Sequence, residues 1–141
     1  MIVKTAHIDD EEEFRFFFKT LTEHEKGKSR HSLDVTSFNN GEDFLKYFKD
    51  NLDEFDMVVL DQSLTGVSGS YVAKKILKMA PDVVVLLCTG NVAKEETLDS
   101  IIPKKDLMIG NLLDRYFNIQ NTPMRNIFDI YIRGGEYDNR E

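Results

Sequence analysis

Apolar positions along the chain follow two alternating rhythms. Residues 2–8, IVKTAHI, form a short run that suits a strand. Phe14, Phe17, Phe18 and Leu21 then recur at the i, i+3, i+4, i+7 spacing of one helix face, which predicts these rings in the core. Residues 33–38, LDVTSF, alternate as a strand does, and Asn39-Asn40-Gly41 reads as a turn. Phe44, Leu45 and Phe48 line a second helix, and residues 56–60 form an oily strand. Val72, Ala73, Ile76, Leu77 and Ala80 mark a third helix, which Pro81 stops. VVVLLC at 83–88 is so apolar that both faces of that strand should be covered. A short fifth strand is expected at Ser100-Ile101-Ile102, and Ile109, Leu112, Leu113 and Tyr116 give a last amphipathic helix. Regular β–α alternation of this kind predicts an α/β fold, a doubly wound parallel sheet between two layers of helices.

The crossover between the fourth and fifth strands is the exception. Ten residues, Gly90 to Asp99, make it, whereas a parallel crossover usually takes about a dozen or more including its helix. Only VAKEETL is left for that helix, which is expected to be short or absent.

Composition excludes several classes. The chain has 141 residues, 41% hydrophobic and 30% charged, enough for one domain with a real core. A formal net charge of −7 gives no general attraction to nucleic acid or to anionic membranes, and Lys104-Lys105 is too small a basic cluster for a nucleic-acid footprint. No apolar stretch approaches transmembrane length, and MIVKTAH lacks the apolar core of a signal peptide. Neither nucleic acid nor membrane is therefore an expected partner. The single cysteine, Cys88, reads as a small buried hydrophobe. Together these features point to the cytoplasm.

Ligands of open α/β sheets bind beyond the carboxyl ends of the strands. Strand one ends in Asp9-Asp10, strand three in Asp61, strand four in Thr89-Gly90, and strand five near Lys104. Each has an ordinary explanation: DDEEE suits a helix N-terminus, Thr89 a strand end, Lys104 a solvated loop. An acidic pair, a third carboxylate, a hydroxyl and an ammonium at one edge nevertheless form a coherent set. They suit phosphoryl transfer to a carboxylate, with Asp61 as nucleophile. Crowded carboxylates repel one another and an incoming phosphoryl group, so a divalent cation is required, and hard oxygen ligands favour Mg²⁺. Lys104 and the Thr89 hydroxyl would donate to the phosphoryl oxygens, and Gly90 would leave room for the backbone to approach.

At these residues the sequence resembles the receiver domains of bacterial two-component response regulators, over about residues 2–119. IDDEEEF is similar to the family's acidic motif, and LDQSLTGVSG to its phospho-acceptor motif, with Leu64 and Gly69 in place. LLCTG supplies the threonine with its small neighbour, and IIPKK the lysine. The resemblance implies a CheY-like, flavodoxin-like five-stranded sheet of order 2-1-3-4-5. It implies phosphate taken from the phosphohistidine of a sensor histidine kinase or a phosphotransfer protein. Mg²⁺ would be held by Asp10, Asp61 and the Ser63 carbonyl, with Asp9 assisting, while Thr89, Gly90 and Lys104 serve the phosphate. The domain would catalyse only its own phosphorylation and dephosphorylation, and would switch a protein–protein contact with a downstream target, as a monomer or weak dimer.

The sequence also departs from the family. Thr65 stands where proline is usual, and the proline near the lysine is Pro103, before Lys104 rather than after it. Lys105 is thus an alternative donor. Ile101 occupies the position usually held by an aromatic switch residue. Residues 1–120 make the receiver, and 121–141 an extension with apolar Ile127, Phe128, Ile130, Tyr131 and Ile132, expected to pack back on the domain or to contact a partner. A flavodoxin-like FMN site fits poorly because DDEEE would repel the phosphate, and a haloacid-dehalogenase-type site lacks its second aspartate, Ser63 standing there. The rival reading is a receiver-like adaptor that docks partners without being phosphorylated.

Overall fold

A computed structural model describes residues 1–27, 30–62, 64–89, 101–103 and 109–120. Their elements are β1 (Ile2–Ile8), α1 (Glu12–Glu25), β2 (Ser32–Phe38), α2 (Gly41–Phe48), β3 (Met57–Asp61), α3 (Gly69–Met79), β4 (Val84–Thr89), β5 (Ile101–Pro103) and α4 (Ile109–Gln120). The strands form one parallel sheet of order β2-β1-β3-β4-β5. This is the doubly wound α/β arrangement that the alternation of strand-like and helix-like patterns predicts. The helix expected in the fourth crossover and the extension at 121–141 lie outside the described residues.

Consecutive strand residues point to opposite faces of the sheet, so apolar runs feed two cores. Ala6, Ile8, Val58, Leu60, Val85 and Leu87 meet Phe44 and Phe48 of α2 and Val72, Ala73 and Ile76 of α3. Val3, Leu33, Met57, Val59, Val84, Leu86 and Cys88 meet Phe18 of α1 and Leu112, Leu113 and Tyr116 of α4. A continuous apolar strand such as MVVL is what burial on both faces demands. His7, on β1, is buried and packs its ring on Phe18 at 4.2 Å.

Helix ends follow local chemistry. Asn40 caps α2 by accepting from the Asp43 N–H at 2.7 Å, and Ser68 caps α3 by accepting from the Tyr71 N–H at 3.2 Å. Helix α3 stops at Met79 because Ala80, just before Pro81, is pushed out of the helical region (φ −144°, ψ 83°).

Two details depart from the sequence pattern. Strands β3, β4 and β5 run one residue further than the apolar runs, so Asp61 and Thr89 are their last residues and Pro103 closes β5. Proline, with no N–H, is tolerated there because β5 is an edge strand. Of the rings on α1, Phe18 is fully buried and Phe14 partly so, but Phe17 is 52% exposed. One helix stripe beneath a sheet admits a narrower arc than the periodicity spans, and Phe17 falls beside Phe16 on the solvent side.

Phe44 tests the first core. It is fully buried, stacked on Phe48 at 5.2 Å and edge-on to Phe38 at 5.0 Å. Phe44→Ala is expected to cost about 3–5 kcal/mol, measured as a drop in the urea midpoint at unchanged slope. A loss of well under 1 kcal/mol would contradict this packing.

Candidate functional site

Register brings the acidic residues together. Ile8 of β1 lies opposite Leu60 of β3, so the residues that follow, Asp9 and Asp61, reach the carboxyl edge of the sheet side by side. Both are buried, at 1% and 4% exposure. Oxygens of Asp9, Asp61 and Glu11 lie within 4.8 Å of one another. On the other flank Asp61 pairs with Cys88, which sets Thr89 one residue beyond it on β4.

Neither Asp9 nor Asp61 occupies a helix N-cap position. The N-cap of α1 is Glu11, which makes no side-chain cap bond, and the N-cap of α3 is Ser68. Asp9 instead turns the chain: its Oδ1 accepts from the Glu11 N–H at 2.9 Å, and its carbonyl accepts from Arg15 Nη1 at 2.6 Å. That turn keeps Glu11 near Asp61 and brings a guanidinium to the rim. Asp10 points elsewhere. Its Oδ2 accepts from the Thr65 N–H at 2.9 Å and from the Thr65 hydroxyl at 2.5 Å.

The loop after β3 fixes the nucleophile candidate from behind. The Gln62 N–H donates to the Cys88 carbonyl at 2.9 Å, and the Gln62 carbonyl accepts from the Gly69 N–H at 3.0 Å. Gln62 Oε1 accepts from both the N–H and the hydroxyl of Ser70, each at 2.9 Å. Asp61 is thus tied through its neighbour to β4 and to the first turn of α3. Glycine is required at 69, since a Cβ there would collide with the Asp61 carbonyl oxygen and lie 2.7 Å from the Gln62 Cα.

Of the residues singled out from the sequence, the structure gathers Asp9 and Asp61 and places Thr89 at the end of β4. It sets Asp10 against Thr65. Ser63, Gly90, Lys104 and Lys105 lie outside the described residues. Glu11, Gln62 and Arg15 are additions. Glu11 had read as one more acidic residue at a helix start, and only the turn at Asp9 marks it out. The set that gathers is made of hard, anionic oxygens, the donor type that Mg²⁺ takes.

The fold has known relatives. The family profile described as response regulator receiver domain matches residues 6–106. The chain is similar to a solved response regulator receiver domain protein from Clostridium thermocellum, with 22% identity and a TM-score of 0.65 over 84% of this chain and 94% of that one. It is also similar to the response regulator TrrA from Thermotoga maritima, solved in complex with Mg²⁺-BeF, with 25% identity and a TM-score of 0.64 over 82% of this chain and 97% of that one. The receiver domain of the hybrid histidine kinase CckA matches at 20% identity and a TM-score of 0.62, over 84% and 99%. No curated protein matches.

The contact at Gly69 yields a test. Gly69→Ala must push the Asp61–Gln62 backbone aside, so the variant is expected to unfold at least about 2 kcal/mol more easily, in the range of other overpacked sites. A urea midpoint equal to that of the parent would show that the contact is looser than drawn.

Proposed function

The chain belongs to the response regulator receiver domain family, and on that footing we propose that Asp61 accepts a phosphoryl group from the phosphohistidine of a sensor histidine kinase or a phosphotransfer protein. The observation that carries this reading is the burial of Asp61 at a strand end with carboxylate oxygens of Asp9 and Glu11 within 4.8 Å. Carboxylates gathered this closely repel one another, and a divalent cation among them would relieve that repulsion.

Mg²⁺, when bound, neutralises these carboxylates and draws charge from the phosphoryl oxygens. Asp9, Asp10, Asp61 and the Ser63 carbonyl are the residues proposed to hold it, and Glu11 joins them on geometry. An Asp61 oxygen attacks phosphorus: the new O–P bond forms as the N–P bond to the donor histidine breaks, and the ring nitrogen leaves with the electron pair. Burial of Asp61 and its tether through Gln62 to β4 and α3 hold the attacking carboxylate in line. Thr89, Gly90 and Lys104, with Lys105 as the alternative, donate to the oxygens of the transferred group. The extra charge then alters the surface offered to a downstream protein. The domain acts only on itself, through gain and loss of its own phosphate. The cytoplasm of a bacterium is the proposed compartment, where the buried Cys88 serves as a small apolar core residue. No helix among the described residues is long and apolar enough to cross a membrane.

Incubation with acetyl phosphate and Mg²⁺ tests the proposal. Wild type is expected to gain one acid-stable, base-labile phosphate by intact mass, and Asp61→Asn none. Equal modification of Asp61→Asn would place the acceptor elsewhere. Wild type that stays unmodified would mark a phosphorylation-independent adaptor.

A further inference from the structure

Thr65, in the loop between β3 and α3, spends both its N–H and its hydroxyl on a single atom, Asp10 Oδ2, at 2.9 and 2.5 Å. The two residues are 55 apart in sequence, so this is a tertiary contact rather than a turn closing on itself. Gly66, with φ +89°, bends the chain immediately after it. The carboxylates that do converge are Asp9, Glu11 and Asp61, and Asp10 is not among them.

We propose that Thr65 is a positioning residue that holds the Asp10 carboxylate out of the cation site, so that an arriving divalent cation meets Asp9, Glu11 and Asp61 first and gains Asp10 only when the two hydrogen bonds to Thr65 give way. The inference rests on reading the pocket as a divalent-cation site. Hydrogen bonds to an ionised carboxylate are stronger than neutral ones, so releasing Asp10 subtracts from cation affinity. In exchange, the empty pocket has one negative charge fewer facing Asp61. Glu11 takes the vacated role because its own N–H is fixed to Asp9 Oδ1. Threonine at 65 therefore sets the affinity of the site, and with it the cation concentration at which the domain becomes competent.

The probe is Mn²⁺, counted by loss of its free electron-paramagnetic-resonance signal on titration with the full chain. Thr65→Ser keeps both donors and is expected to bind as wild type does. Thr65→Val keeps only the N–H and should bind about tenfold tighter, and Thr65→Pro, with neither donor, about a hundredfold tighter, the scale of one and two hydrogen bonds to a charged group. Adding Asp10→Asn should erase both gains. Thermal midpoints without cation show which variants are folded, and Thr65→Val, nearly isosteric, decides the matter if Thr65→Pro does not fold. Equal affinities across the series, weaker binding by Thr65→Val, or a gain that survives Asp10→Asn would each overturn the proposal. Absence of Mn²⁺ binding by wild type, or binding indifferent to Asp61→Asn, would overturn the cation-site reading beneath it.

Discussion

Ile8 faces Leu60 across the β1–β3 ladder, and from that pairing the rest of the molecule's chemistry follows. It brings two carboxylates to one level at the end of the sheet, an arrangement their charges oppose. The opposition is overcome by the residues beneath them. Ala6, Ile8, Val58 and Leu60 are buried against α2 and α3, and Val3, Met57 and Val59 against α1 and α4. Each larger side chain of this kind contributes about 1.5–3 kcal/mol by leaving water. A slip of one residue would exchange the two faces of the strand and send every one of them to the wrong core. The register is thus fixed by apolar surface, and the acidic site is built on stability drawn from elsewhere in the sheet.

The loop after β3 divides its labour by residue. Gln62 binds β4 and α3, Thr65 reaches across to Asp10, and Gly69 lets α3 start hard against the Asp61 backbone. The site is therefore assembled by one short segment that addresses three neighbours, with Asp61 at its root. Arg15 adds a tie from α1 to the carbonyl of Asp9. Motion of Asp61 is resisted from each side that these contacts reach, which leaves change at the pocket to the parts of the loop that face solvent, Thr65 and Gly66.

The architecture was legible because its signals are local. Strand and helix periods, the stop at Pro81 and the run VVVLLC each depend on neighbouring residues, and the sheet they predict is the sheet observed. Asp9 and Asp61 were legible for a related reason, since any strand of a parallel sheet delivers its last residue to the same edge. What stayed hidden depends on the folded backbone rather than on residue type or period. Nothing near Asp10 announces Thr65. Glu11 and its neighbours in DDEEE look alike until the backbone turn at Asp9 separates them. Phe17 shares the helical period of Phe18, yet it is half exposed while Phe18 is fully buried, a difference that the period alone does not carry. The strand ends ran one residue further than hydrophobicity indicated because hydrogen bonding, not burial of an oily side chain, decides where a ladder stops.

The two outer strands of the sheet have a consequence for how copies of this chain meet. An unpaired strand edge invites another chain to add to it. β2 carries Asp34, Thr36 and Ser37 exposed along its length, and β5 is three residues long and ends on Pro103, which has no N–H to offer. Both borders are blunted by charge, brevity or a missing donor. Growth of the sheet by edge-to-edge addition, the route by which β-rich proteins aggregate, is discouraged along both edges of the described sheet.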